Sequence, residues 1–193
     1  MPGTKADEVG SGQSASTNQA LPLILRAANF AAHKHRDQRR KGSNKLPYIN
    51  HPLELAEVLC LEGGVTDPVV LAGALLHDTI EDTETSYREL RGLFGTRIAD
   101  VVAEVTDAKF LGKELRKRLQ VSRASKVSAE AAQIKIADKI CNLRSMLSSP
   151  PAGWPRERIQ RYFDWAHEVI TQLRDAHPGL AGRFDALYRQ KPK

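Results

Sequence analysis

The chain has little of what usually fixes a small fold from outside its core. Its 193 residues include two cysteines. Cys60 and Cys141 stand singly in helix-like segments, with no disulfide framework and no Cys-x-x-Cys zinc pattern. No apolar run approaches the roughly 18 residues that a membrane span needs. The first twenty residues, Met1 to Ala20, have no apolar stretch of the kind a signal peptide carries. They are polar and rich in Gly, Ser and Thr, and are expected to form a disordered N-terminal extension over 1–20. Asn-Gly and Asp-Gly turns are missing and alternating runs are few, so no β-strand signal stands out. These absences point to a soluble protein of a reducing cytoplasm, built without a sheet.

What is present is helical periodicity. Hydrophobic residues make up 41% of the chain and charged residues 27%, ordinary values for one globular domain. Ile159, Tyr162, Phe163, Ala166, Val169, Ile170 and Leu173 repeat at helical spacing after Trp154-Pro155. Ile98, Val101, Val102 and Val105 form a shorter stripe after the breaker Gly95. Ile136, Ile140, Leu143 and Leu147 form another that ends near Pro150-Pro151. Further helices are predicted over about 21–36, 52–61, 67–80, 86–93 and 114–123, with a basic loop from Gln38 to Asn50. The expected fold is all-α, a compact single-domain helical bundle over 21–190.

Charge concentrates attention on one box, His77-Asp78-Thr79-Ile80-Glu81-Asp82. It follows the apolar run Val69 to Leu76, which suits a helix buried on nearly every side. Charge next to a buried helix must be paired, hydrogen-bonded or bound to metal. If the helix continues, His77 lies above Glu81 and Asp78 above Asp82. One surface then offers a His-Asp metal grip with a second carboxylate pair one turn away. The bland alternative is a helix that leaves the core and ends in water. Net charge is +6, and the bases cluster. His33 to Lys45 holds Lys34, Arg36, Arg39, Arg40, Lys41 and Lys45 against Asp37 alone. Lys109 to Lys126 holds seven bases against Glu114 alone. An acidic metal centre between two basic segments suits a phosphorylated substrate. Solvated helix faces are the alternative.

Two other residues bear on the box. Asp138 lies on a polar line with Lys135, Asn142 and Ser145, which by itself reads better as a solvent-facing stripe. His51 opens a helix in Pro47-Tyr48-Ile49-Asn50-His51-Pro52. His33, His35, His167 and His177 have no such context and are expected to be structural or surface residues. Taken in order, His51, His77-Asp78 and Asp138 resemble the signature of the HD superfamily of metal-dependent phosphohydrolases. Arg40-Lys41, the Tyr48 to Pro52 segment, the box through Thr83, Ala137-Asp138-Lys139 and Asn142-Leu143-Arg144 together resemble the hydrolase domain of the RelA/SpoT family. The likeness runs from about Leu21 to Leu173, and the chain looks like a small alarmone hydrolase, similar to the stand-alone SpoT-like hydrolases of bacteria and animals.

The resemblance implies an activity and a division of roles. The family removes the 3′-diphosphate of ppGpp or pppGpp to give GDP or GTP and pyrophosphate, with Mn2+ as cofactor. It implies His51, His77, Asp78 and Asp138 as metal ligands. Glu81 and Asp82 would position and deprotonate the attacking water. Arg40 and Lys41 would contact the guanine end and Asn142 the ribose and 3′-phosphate. Lys109, Arg116 and Lys117 are further candidates for the diphosphates. Gly42 stands where many members have Ser, and Cys141 where a His or Tyr is common. The expected partner is a small nucleotide, with no nucleic acid and no membrane, and the oligomeric state is left open. Two other functions fit the same residues. One is an HD hydrolase for another ribose-phosphorylated nucleotide such as NADPH. The other is a basic, non-catalytic nucleic-acid-binding module, which lacks a helix-turn-helix or aromatic stacking pattern in its favour.

Overall fold

The computed structural model describes residues 12–42 and 44–193. Among them the chain is helical and forms no strand, only isolated bridges between Arg39 and Pro47 and between Gly42 and Pro151. The helices are α1 (Gly12–Lys34), α2 (Asn50–Glu57, prolonged by a π-helical turn Val58–Glu62), α3 (Pro68–Leu76), α4 (Thr79–Asp82), α5 (Tyr87–Phe94), α6 (Thr96–Val105), α7 (Lys113–Arg123), α8 (Ala129–Ser148), α9 (Arg156–Leu173) and α10 (Pro178–Tyr188). Of the expected disordered extension, 1–11 lies outside the described residues. From Gly12 onward the chain is already helical, so the helix begins earlier than the polar composition suggests. Gln13, Ala15, Gln19 and Ala20 are good helix formers, and polarity alone does not oppose a helix.

The all-α reading holds, and α3 is its centre. It packs against α1, α2, α6 and α8, and Val70 through Leu76 are all buried. Asp67 caps it, accepting from the Val69 N–H at 2.8 Å, and Pro68 opens the first turn. Gly73 lets its neighbours approach closely. A Cβ there would stand 3.0 Å from Ile134 Cδ1 on α8 and 3.2 Å from Val101 Cγ1 on α6. Around this axis Leu55, Leu59, Ile136, Ile140, Phe163, Ile170 and Phe184 fill the larger core cluster. Ala27, Leu75, Leu76, Leu90 and Val102 belong to a second cluster.

The predicted helix over 67–80 is broken at the place that matters. The α3 helix ends at Leu76, the chain turns through His77 and Asp78, and α4 begins at Thr79. Two side chains take over the last carbonyls: His77 Nδ1 bonds Ala74 O at 2.8 Å and the Thr79 hydroxyl donates to Leu76 O at 2.7 Å. Side-chain bonds of this kind compete with a continuing ladder. One further helix, α10, was not singled out in the sequence. Its start is set by Pro178 and by the His177 ring, which accepts from the Leu180 N–H and bonds Gly63 O at 2.9 Å.

Candidate active site and metal centre

Three separate pieces of backbone bring the expected ligands together. His51 comes from the first turn of α2, His77 and Asp78 from the α3–α4 turn, and Asp138 from the middle of α8. One ligand atom each from His51, His77 and Asp138 lies within 4.8 Å of the other two. His51 Nε2 is 3.2 Å from Asp138 Oδ1, and the two imidazoles sit edge to face with centroids 5.1 Å apart. Asp78 adjoins this triad rather than lying inside the mutually close group; its Oδ2 is 2.8 Å from His77 Nε2. The four expected ligands thus converge, three tightly and the fourth from beside His77.

The donor set fits a divalent cation. His77 uses Nδ1 on a backbone carbonyl, which fixes the tautomer and presents Nε2 to the triad. That buried Nε2 makes no hydrogen bond, although a carboxylate oxygen stands 2.8 Å away. Mixed nitrogen and oxygen donors suit manganese, iron, cobalt or zinc.

Electrostatics favour ionised carboxylates here. Burial alone would push Asp78 and Asp138 up. His77 pulls Asp78 well below the usual range, and Lys139 does the same for Asp138. The buried Lys139 ammonium lies 2.8 Å from Asp138 Oδ2 and is held protonated by it. Burial pushes the His51 imidazole down, toward the neutral form that binds metal. Burial acts the same way on His77, yet the Asp78 carboxylate outweighs it and lifts that ring to about 9. A cation entering the site must therefore displace a proton from His77.

The second carboxylate pair does not stack above the first as a continuous helix would place it. Glu81 turns toward the α6–α7 loop: Oε2 accepts from the Asp107 N–H at 3.0 Å and Oε1 lies 3.3 Å from Arg116 Nη1. Burial raises its carboxyl, partly countered by the Asp107 N–H. Asp82 pairs with Lys109 and accepts weakly from the Tyr48 hydroxyl at 3.3 Å. That same hydroxyl donates to Asp78 Oδ2, so Tyr48 ties the ligand to the neighbouring carboxylate. Burial, then the Asp78 charge, drive its phenol far up, keeping it a donor. Tyr48 lay within a quoted motif but was given no role. The His35 ring stacked 4.8 Å from it is structural, as expected.

Above the carboxylates opens a cavity of about 860 Å³. Eight Lys and Arg line it against the carboxylates of Asp82 and Asp107, an excess that only a polyanion would balance. Arg40, Lys41, Lys109, Arg116 and Lys117 reach it from the two basic segments. Arg40 Nη2 donates to Asn142 Oδ1 at 3.1 Å, and Asn142 Nδ2 to Asp138 Oδ1 at 2.7 Å. Other parts of the basic segments are spent on the fold: Lys34 pairs with Glu89 and Arg36 with Asp37. The sequence reading missed Arg158 and Trp165, took Trp154 only as a helix start and Tyr162 only as part of a core stripe, and held Lys113 only within the second basic segment. Arg158 stacks 3.9 Å over the Trp154 ring, and Lys113 is pushed down by burial and then by Arg158 and Lys117. Trp154, Arg158, Tyr162 and Trp165 recur at helical spacing beside the apolar stripe, a signal that was there to find.

Both departures from the family pattern acquire a physical setting. A Cβ on Gly42 would stand 2.9 Å from Ser149 Oγ and 3.0 Å from Ser149 O, so the basic loop lies tight against the end of α8 and a side chain there would require Ser149 to shift. Cys141 is buried outside the cavity lining, with its sulfur within 4.8 Å of a His51 ring nitrogen and a Glu54 carboxylate oxygen, and burial pushes its thiol up. Among the described residues no helix is long and apolar enough to cross a membrane.

A helical frame that delivers His, His-Asp and Asp to one point defines the class of HD-domain proteins. The family model described as an HD domain matches residues 27–164, and the chain belongs to that family. Its likeness to particular members is high. The guanosine-3′,5′-bis(diphosphate) 3′-pyrophosphohydrolase MESH1 of Xenopus tropicalis is 51% identical over 166 residues, 86% of this chain and 93% of that protein. The human protein of the same name is 47% identical, covering 87% of this chain and 94% of its own length. A solved structure, titled as a metazoan ortholog of SpoT that hydrolyzes ppGpp and plays a role in starvation responses, superposes with a TM-score of 0.85 at 43% identity. That match covers 87% of this chain and 94% of the other.

Proposed function

We propose that this chain is a manganese-dependent hydrolase that removes the 3′-diphosphate of ppGpp or pppGpp, giving GDP or GTP and pyrophosphate. The observation that carries this reading is one juxtaposition. The His51, His77, Asp138 triad, with Asp78 beside it, shares Arg40–Asn142 contacts with a cavity rich in Lys and Arg. The relatives' printed activity supports the same substrate. A cytoplasmic setting agrees with the two unpaired cysteines.

His51, His77, Asp78 and Asp138 would hold the metal, which as a Lewis acid eases deprotonation of water and offsets phosphoryl charge. Glu81, half-buried and raised, takes the proton of the attacking water, while Arg116 and the Asp107 N–H hold its carboxylate in place. Asp82, tethered by Lys109, orients that water. Asn142 holds the ribose side through its bond network to Asp138, and Arg40 and Lys41 receive the base, where a guanidinium can stack. Lys109, Lys113, Lys117 and Arg158 neutralise the diphosphates.

The test is a manganese-supplemented assay of purified protein with ppGpp and, in parallel, NADPH, with product identification. Equal release of GDP and pyrophosphate, stopped by chelation and restored by manganese, is expected. Phosphate release from NADPH with no turnover of ppGpp would overturn the substrate.

A further inference from the structure

Lys135 is not explained by the fold or by the roles assigned so far. It sits on α8, is 9% exposed, and makes one long hydrogen bond, from Nζ to Val105 O at 3.3 Å. No carboxylate lies within ion-pair distance of it among the described residues, whereas Lys139, one turn on, is paired with Asp138. A buried ammonium with so few partners is costly, and a methionine of similar length would fill the space without that cost. The charge must act on something it does not touch directly.

Its surroundings name the target. Val105 ends α6, and two residues later the Asp107 N–H donates to Glu81 Oε2. Lys135 also borders a second cavity, of about 140 Å³, which shares Asp107, Arg116 and Gln120 with the large one. Gln120 Nε2 donates to Asp107 Oδ2 at 2.7 Å, while Gln120 Oε1 and Arg116 Nε are buried there without partners. The charged groups around Lys135 are Glu81 from α4, Glu104 from α6, Asp107 from the loop, Arg116 and Arg123 from α7, and Asp138 and Lys139 from α8.

Resting on the hydrolase reading above, we propose that Lys135 is a positioning residue for the water-activating carboxylate: it clamps the α6–α7 loop through Val105 O and keeps Glu81 ionised from behind. Burial and then Lys139 lower its own ammonium to about 8, with Asp107, Asp138 and Glu81 opposing, so it remains charged at neutral pH. Removing a nearby cation raises a carboxyl pKa. The acid limb of the rate profile must then move to higher pH.

Lys135→Met and Lys135→Arg are compared with the wild type in kcat and KM for ppGpp across pH, with manganese content measured on each. The expected result for Lys135→Met is an acid limb displaced to higher pH, with KM and bound manganese unchanged and the wild-type limb retained in Lys135→Arg. An unmoved limb in Lys135→Met, or the same shift in both variants, overturns the proposal. A readout on the wild-type protein needs neither folding of a variant nor turnover. With magnesium in place of manganese, the Glu81 carboxyl signal followed by NMR must show a second inflection near pH 8, as Lys135 loses its proton; a single inflection overturns the proposal. Absence of ppGpp turnover by the wild type overturns the substrate reading alone, and the NMR titration still decides the role of Lys135.

Discussion

Glu81 meets two opposing demands: a base must be ionised, yet one placed in a half-buried wall resists ionisation. Burial raises its carboxyl and the Asp107 N–H restrains the rise. The folded pKa lies above the ordinary carboxylate value of about 4.3, so activity is full above that raised pKa and is lost as pH falls through it. The acid limb of kcat is expected above the ordinary range, and Glu81→Gln is expected to cost about 100-fold or more in kcat while nucleotide binding persists. Steady-state rates and equilibrium binding on the same preparation check both. Tyr48 sets the adjoining residue. Its hydroxyl donates to Asp78 from outside the ligand set, so Tyr48→Phe should weaken metal affinity about 10- to 100-fold, as read by calorimetric titration of manganese. Unchanged affinity would remove Tyr48 from the account.

At the scale of elements, the divided α3–α4 segment shows what periodicity can and cannot reveal. Val69 to Leu76 is apolar all round and was legible as a buried helix. The break after it depends on the Thr79 hydroxyl and the His77 ring finding carbonyls, a choice made by side-chain geometry, not by hydrophobic pattern. Glu81 consequently faces Asp107 and Arg116 instead of standing over His77. Asp138 was ambiguous for a related reason: a polar line on α8 looks the same whether it borders solvent or a cavity. The ligands were legible because a motif order survives any folding, while Trp154, Arg158 and Trp165 reach the cavity only through the packing of α9. The close approach at Gly73 yields a prediction of its own. Gly73→Val drives side-chain atoms into Ile134 and Val101 and should cost about 1–3 kcal/mol, lowering Tm by a few degrees, with little change in KM.

For the molecule as a whole, the site is also a fastener. The triad ties α2, the α3–α4 turn and α8 at one point, so a cation bound only by the folded chain must stabilise it. Manganese at about 100 times its Kd should contribute about 2.7 kcal/mol and raise Tm by roughly 5–10 °C. Differential scanning calorimetry should show this shift in the wild type and none in His51→Ala. The chain contains two tryptophans, and both line the large cavity, one beneath the Arg158 guanidinium and the other beside Lys117 and Lys139. No indole lies elsewhere to contribute background. Emission excited selectively at tryptophan, clear of the four tyrosines, is therefore a signal from the cavity alone, and arrival of a nucleotide can be timed optically in unlabelled protein.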